Sequence, residues 1–477
     1  MTPADRGTAE ERLWTRRTWP FLTGTLALMT FIAFESYAVT TVLPVAMADL
    51  DGSRWYSMAY AATITTALLG TVLGGNWADR HGTRPPLLAG GTMFLLGIAL
   101  CALASNAAIF VLGRFLQGVG GGIDAVVLYV LIARHVPAGP RPRMFGLLTT
   151  AWLLPSMCGP LLAGVLTELT SWRIVFALVL VGATVSLLGL LASTRGPEPR
   201  TPGGAAPPAL FGRRGLLALM AAGALLVLHL GGQSPTPLST VIVLCGLVVL
   251  LWIASRLLPR GTLLLRGAAP RLVALRAVLG ATVTATDVYL TLYLQHQRDF
   301  PPTTAGLIIA IGALGWAAGA WIQGRFGDAA AHHRGLIAVA GPLVLSGPLV
   351  ALLYTLGAVP TGGVAGACVA MGTGMGIAYP RISAQTLALA DPSEHGMYSS
   401  SLQSGESMST AGLLAVTGIL LTVLPGEGGF VASYGLLVGL GCAAVLIAWA
   451  HRSREREQPP KPSEDPPEAS RPHAREC

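Results

Sequence analysis

The chain has 477 residues and a net charge of +8, with 52% hydrophobic and only 11% charged residues. That length would allow two or three soluble domains, but apolar runs of about 20 residues recur throughout, which excludes them in favour of a polytopic membrane protein. The positive balance does not point to nucleic acid, because nearly all basic residues lie between alternate apolar segments, where they set topology.

Backbone polar groups in lipid must be satisfied internally, so the runs are helices, and the short alternating segments of a barrel do not occur. Fourteen segments are predicted, near 20–46, 56–77, 86–104, 107–134, 143–168, 172–193, 214–231, 237–258, 272–296, 303–325, 335–357, 363–388, 399–424 and 430–450. They group as six, two and six. Arg16-Arg17 precede the first segment, which has no clear cleavage site and reads as an uncleaved span with a positive anchor.

That first segment carries Phe34-Glu35-Ser36-Tyr37 near its middle. A carboxylate at such depth costs about 2.5–3.5 kcal/mol on insertion scales, so it is expected to face an aqueous cavity and to function there. Segment nine holds the counterpart, Thr286-Asp287-Val288-Tyr289, giving two acid-x-Tyr sites at similar depth. In segment two and the loop after it, Gly70, Gly74, Arg80 and Gly82 are matched at identical spacing by Gly315, Gly319, Arg325 and Gly327 in and after segment ten. The six-helix blocks therefore read as parallel repeats with a helix pair inserted between them, one known transporter plan.

Loop charge fixes the expected orientation. Arg12, Arg16, Arg17, Arg80, Arg84, Arg134, Arg141 and Arg143 fall on one side, and only Arg54, Arg173 and Arg298 on the other, so both termini are expected in the cytoplasm. The expected organisation is a cytoplasmic tail (1–19), an N-terminal bundle (20–193), a Pro/Gly-rich cytoplasmic linker (194–213), two inserted helices (214–258), a C-terminal bundle (259–451) and a disordered tail (452–477). The six cysteines make no CxxC spacing and read as small apolar residues. No phosphate-binding loop and no catalytic constellation is found, so an enzyme is not expected, no cofactor or metal is implied, and energy must come from an ion gradient.

Four motifs carry a resemblance. Gly75-Asn76-Trp77-Ala78-Asp79-Arg80-His81-Gly82-Thr83-Arg84 is similar to a G-x-L-A-D-R-x-G-x-R loop, and Arg114-Phe115-Leu116-Gln117-Gly118-Val119-Gly120 to R-x-x-Q-G-x-G. Gly159-Pro160-Leu161-Leu162-Ala163-Gly164 resembles the G-x-x-x-G-P-x-x-G-G antiporter motif, with Pro155 in place of its first glycine and Ala163 in place of its penultimate one. Glu35 through Pro44 matches an acidic first-helix motif, glutamate replacing aspartate. Across about residues 15–451 the chain resembles the major facilitator superfamily, and within it the fourteen-span drug:proton antiporters.

The resemblance implies a major facilitator-type fold of two six-helix bundles plus two inserted helices. It implies an inner latch at Asp79, Arg80 and Arg84, with Asp79 facing the start of segment thirteen. It implies proton coupling through Arg114, whose residue-level alternative is hydrogen bonding to backbone carbonyls. Glu35, Asp287 and Glu406 are candidate cavity acids, with Tyr37 and Tyr289 beside the first two. Asp124 and Arg381 occupy corresponding helices, and either bridge the halves as a gate or serve each half separately. Pro155, Gly159, Pro160 and Gly164 are expected to bend segment five. His229 and His296 lie near the outer side.

The expected function is proton-coupled efflux of amphipathic drugs or secondary metabolites by alternating access. The protein is expected as a monomer in the inner membrane, with small lipophilic substrates, cationic or lipid, and membrane lipids as partners. The rival readings are a lipid or glycolipid exporter, a proton symporter for uptake, and a non-transporting receptor on the same fold.

Overall fold

The computed structural model describes Trp14 and residues 18–136, 141–194, 212–231, 237–326, 330–391, 394–424 and 426–454. Gly327, most of the N-terminal tail, linker residues 195–211 and tail residues 455–477 lie outside them.

Fourteen helices follow in the predicted order. The first six are α1 (Trp19–Asp49), α2 (Tyr56–His81), α3 (Arg84–Ala102), α4 (Ala107–His135), α5 (Arg141–Leu169) and α6 (Trp172–Ser193). The inserted pair is α7 (Arg213–Gly231) and α8 (Pro237–Leu257). The last six are α9 (Ala268–His296), α10 (Pro302–Gly324), α11 (Ala330–Thr355), α12 (Thr361–Leu389), α13 (His395–Val423) and α14 (Glu427–Arg454). Twelve are long and apolar enough to cross a membrane, and α7 and α8 are shorter apolar helices. At 19 and 21 residues these two still rise about 28–32 Å, the thickness of a hydrocarbon core.

Local chemistry sets the helix ends. Asn106 accepts the Ile109 N–H at 3.0 Å to cap α4, and Ser171 accepts the Arg173 N–H at 3.3 Å to cap α6. Gly82, with φ 84°, ends α2 in a backbone conformation that disfavours other residues, and its N–H reaches the Ala78 carbonyl at 3.1 Å. The turn holding Arg80 to Arg84 marks one side of the bundle, here the near side. The α1–α2, α5–α6 and α9–α10 turns mark the far side. There Arg173 reaches Asp49 at 2.8 Å and the Ala104 carbonyl at 3.0 Å, joining α6 to α1 and to the end of α3.

Within each half the helices approach backbone to backbone. A Cβ on Gly70 would lie 2.2 Å from the Val119 carbonyl oxygen, and one on Gly122 2.3 Å from that of Ala67, so α2 and α4 cross on glycine. In the second half a Cβ on Gly315 would lie 2.0 Å from the Val369 carbonyl oxygen, and one on Gly376 2.1 Å from that of Trp316, the same crossing of α10 and α12. Lipid gives little hydrophobic drive for helices to associate, so such small-residue faces supply the packing. The glycine repeat in the sequence is thus one crossing used twice.

The halves meet where α2 packs on α13 and α5 on α10. Hydrogen bonds tie this seam at the far side. Tyr56 donates to the Val288 carbonyl at 2.8 Å, Gln295 to the Thr41 carbonyl at 2.9 Å, and the Thr303 N–H to Glu168 at 2.6 Å. The Ser57 hydroxyl adds a bond to the Leu414 carbonyl. Helix α7 packs on both α2 and α13, while α8 packs mainly on α7. Leu244, Val248, Leu251 and Trp252 of α8 stay exposed, as suits a lipid-facing surface.

Gly376→Val is expected to destabilise the protein by about 3 kcal/mol, the upper end of overpacking, because the added atoms meet backbone rather than a flexible side chain. Gly189→Ala, which meets nothing within 4 Å, is expected to change stability by less than about 0.5 kcal/mol. Thermal unfolding in detergent measures both, and a Gly376→Val protein that melts with the parent would contradict the crossing.

Candidate functional site

The acid of the first membrane segment is buried and paired. Glu35 on α1 forms an ion pair with Arg114 on α4, the two side chains being 3% and 4% exposed. Arg114 also donates to Gln117 Oε1 at 2.9 Å and to the Ala59 carbonyl at 3.1 Å. Gln117, three residues on, shares its helix face. The Arg-x-x-Gln motif therefore places a guanidinium and an amide beside one carboxylate. The sequence leads one to expect Glu35 on an aqueous cavity; instead Arg114 compensates its charge within the N-terminal half. Arg114 makes the hydrogen bond to a backbone carbonyl that is its residue-level alternative, and an ion pair with Glu35 besides.

Asp287 on α9 differs. It is half-buried, and among the described residues its carboxylate makes no hydrogen bond or ion pair. Tyr37 and Tyr60, from α1 and α2 of the other half, stand within electrostatic reach of it, as does Cys368 of its own half. Glu406 on α13 lies within reach of the same Tyr37. Arg276 on α9 binds Glu406 at 3.2 Å, donates to Ser383 at 2.6 Å and lies 4.4 Å from the Tyr379 ring centre. Tyr379 donates a further hydrogen bond to Glu406. The Glu406 side chain keeps 20% of its surface exposed. Sequence reasoning passed over Arg276, although a cation in the apolar run of segment nine is as costly there as an acid.

The two acid-x-Tyr sites are not equivalent in use. Tyr37 stands edge-on to Trp152 of α5, ring centres 6.3 Å apart. Tyr289 is fully buried and donates to the Leu414 carbonyl at 2.9 Å, beside Tyr56, so it belongs to the far-side closure.

Asp124 and Arg381 do not bridge the halves. Asp124 is fully buried against Gly90 of α3, with no hydrogen-bond partner for either oxygen among the described residues. Arg381 donates to Gln323 Oε1 at 2.9 Å and to the carbonyls of Gln323 and Phe326, satisfying the C-terminal end of α10. Arg134 of α4 reaches the Ala78 carbonyl at the end of α2 at 3.4 Å, a counterpart in the other repeat. Of the two arrangements the sequence left open, each residue serving its own half is the one present.

Gly75 faces Val126 of α4, and Arg80 and Arg84 are exposed near the α2–α3 turn. The Asp79 side chain, and with it the expected latch, lies outside the described residues. On α5, Gly159 faces Tyr37, and the α5–α10 contact is close: a Cβ on Gly164 would lie 2.6 Å from Thr303, and one on Gly306 2.4 Å from the Pro160 carbonyl oxygen. Pro155 and Pro160 lie inside this helix. The proline–glycine motif thus shapes the seam between the halves.

A profile described as Major Facilitator Superfamily matches residues 25–412. A probable multidrug-efflux transporter of Mycobacterium tuberculosis is 28% identical over 453 residues, covering 90% of this chain and 93% of the relative. The methylenomycin A resistance protein of Bacillus subtilis is 32% identical over 164 residues, 32% of this chain and 34% of the relative. Among solved structures, an auto-inhibited POT family peptide transporter superposes with a TM-score of 0.67 at 15% identity, covering 95% of this chain and 99% of that one. That last likeness concerns fold alone.

Arg114→Gln leaves Glu35 buried without its cation and is expected to cost about 3–5 kcal/mol. Adding Glu35→Gln should restore most of that loss, giving a large coupling energy in a double-mutant cycle of thermal stability. Purely additive effects would contradict the pair.

Proposed function

The chain belongs to the major facilitator superfamily, and from that premise we propose that it exports amphipathic small molecules, lipophilic cations foremost, in exchange for protons. The observation that carries this reading is Asp287: a half-buried carboxylate between the halves, without an ion-pair partner among the described residues. The M. tuberculosis and B. subtilis relatives, described as an efflux transporter and a resistance protein, support export.

The geometry supplies the cycle. With the far side tied shut, the cavity is reached from the near side, taken as cytoplasmic from the loop charges. A lipophilic cation entering there meets Asp287 and Glu406 among the rings of Tyr37, Tyr60, Trp152 and Tyr379, which suit a cation and an apolar body together. Its charge replaces the proton on Asp287, and the proton leaves to the cytoplasm. The far-side bonds then part and the α2–α13 and α5–α10 seams rock, with the tight glycine contacts as pivots. On the outside, a proton displaces the cation. Glu35 and Arg114 keep the N-terminal half neutral and rigid next to the exchange, and Arg276 holds Glu406 until a substrate competes for it.

Export of a lipid or glycolipid is the rival reading, favoured by the inserted pair beside the seam. Because α7 lies across both α2 and α13, it covers a lateral route on that face, and the cation reading is preferred.

In proteoliposomes, tetraphenylphosphonium is expected to drive proton movement opposite to its own in the parent. In Asp287→Asn this should fall to the level of empty vesicles. Protons moving with the substrate would establish symport, and an undiminished exchange in Asp287→Asn would remove that residue as the carrier.

A further inference from the structure

A cavity of about 340 Å³ lies at the far side, with Tyr56, Ser57 and Tyr289 of the closure forming part of its wall. Its size is at the lower end of the range for small-molecule sites. All three blocks of the chain contribute to it: Met47 and Arg54 from the first half, His229 from α7, and Leu292, His296 and Phe430 from the second half. Its lining includes one arginine and two histidines but no carboxylate. Neither Asp287 nor Glu406 is among the residues that line it.

His229 supplies an independent sign of a missing partner. The ring is buried and hydrogen-bonded to the backbone of Ala411, while its Nε2 has no partner among the described residues. A buried polar atom left unsatisfied is costly and ordinarily has an occupant to pair with. An imidazole nitrogen can accept from a ligand O–H, or donate to an anionic oxygen once protonated. Arg54 and His296 are exposed at the rim, placed for the charged end of the same molecule.

We propose that this cavity is a binding site for a small amphipathic organic anion, distinct from the central cavity. The apolar chain lies on Met47, Leu292 and Phe430, and the head group meets Arg54, His296 and His229. Because the walls come from both halves, an occupant bridges them across the far side and favours the closed arrangement seen here. Helix α7 then has a role that the two six-helix halves do not need: it brings the buried histidine. The proposal does not rest on the direction or coupling of transport, since it concerns a site of opposite charge preference. The anionic head can come from a membrane lipid or from a soluble amphiphile.

Photolabelling of the full-length protein in a neutral detergent with a diazirine-bearing decanoate, followed by mass spectrometry, tests this. Saturable label is expected on the first turns of α2 and the far turns of α13, competed by decanoate and not by tetraphenylphosphonium. Arg54→Ala, a rim substitution that removes no buried contact, is expected to weaken labelling about tenfold, the loss of one charge-assisted contact. His229→Leu, if it folds, should weaken it similarly. Label spread over the lipid-facing helices, indifferent to Arg54→Ala, would overturn the proposal, as would label in the central cavity displaced by tetraphenylphosphonium. Repeating the experiment in phosphatidylcholine vesicles with and without phosphatidylglycerol separates the sources. Competition by phosphatidylglycerol identifies a lipid head group, and undiminished labelling identifies a soluble anion.

Discussion

A charge placed among fourteen apolar helices must be compensated by a neighbour, and the pattern of that compensation organises the interior. Glu35 is held by Arg114, with Gln117 completing the set. Glu406 is held by Arg276 and Tyr379. Arg381 turns to the carbonyls at the end of α10. Two acids embedded in the helices remain without a partner among the described residues, and their settings separate them. Asp124 is sealed between α3 and α4, where nothing from the cavity reaches it. Asp287 is half-buried, within electrostatic reach of Tyr37 and Tyr60 of the other half. Uncompensated charge at a place a substrate can reach is what an exchanger needs, because the incoming group must change the energy of the resident one.

The same economy of contact distinguishes packing inside each half from packing between the halves. Inside each half, glycine faces bring α2 onto α4 and α10 onto α12 at distances that leave no room for a side chain, so each half behaves as a rigid body. Between the halves the contacts are fewer and are of two kinds. Small residues of α5 and α10 touch closely, while α2 is fastened by hydrogen bonds to backbone carbonyls, from Tyr56 to α9 and from Ser57 to α13. Hydrogen bonds to carbonyls can be exchanged for water at modest net cost, which suits a seam that opens and recloses.

Much of the fold is legible in the sequence because the bilayer restricts the alternatives so severely. Segment length, loop arginines and the repeated glycine spacing are enough to place fourteen helices and to pair the two halves. The site is legible only as a set of costly residues. Glu35 and Arg114 lie 79 positions apart, and nothing in either local motif says that they meet. Expecting the same environment for Glu35 and Asp287 was reasonable from their matching acid-x-Tyr pattern, yet a cation happens to stand beside one and not the other. Tyr289 shows the same break in symmetry, since its hydroxyl is taken by a carbonyl of α13. Arg276, a cation in the apolar run of segment nine, belongs to the same set of costly residues, but its partner Glu406 lies 130 positions away. Asp124 and Arg381 could be matched by position along the repeats, but position in a repeat does not say which neighbour a side chain turns to.

The central claim is that substrate and proton compete for Asp287. It is tested most directly without a membrane gradient, by adding tetraphenylphosphonium to detergent-solubilised protein in lightly buffered solution and recording proton release with an indicator dye. Competition predicts release of up to about one proton per bound cation, by linkage, and none from Asp287→Asn. Binding without proton release in the parent protein, or equal release from Asp287→Asn, would contradict it.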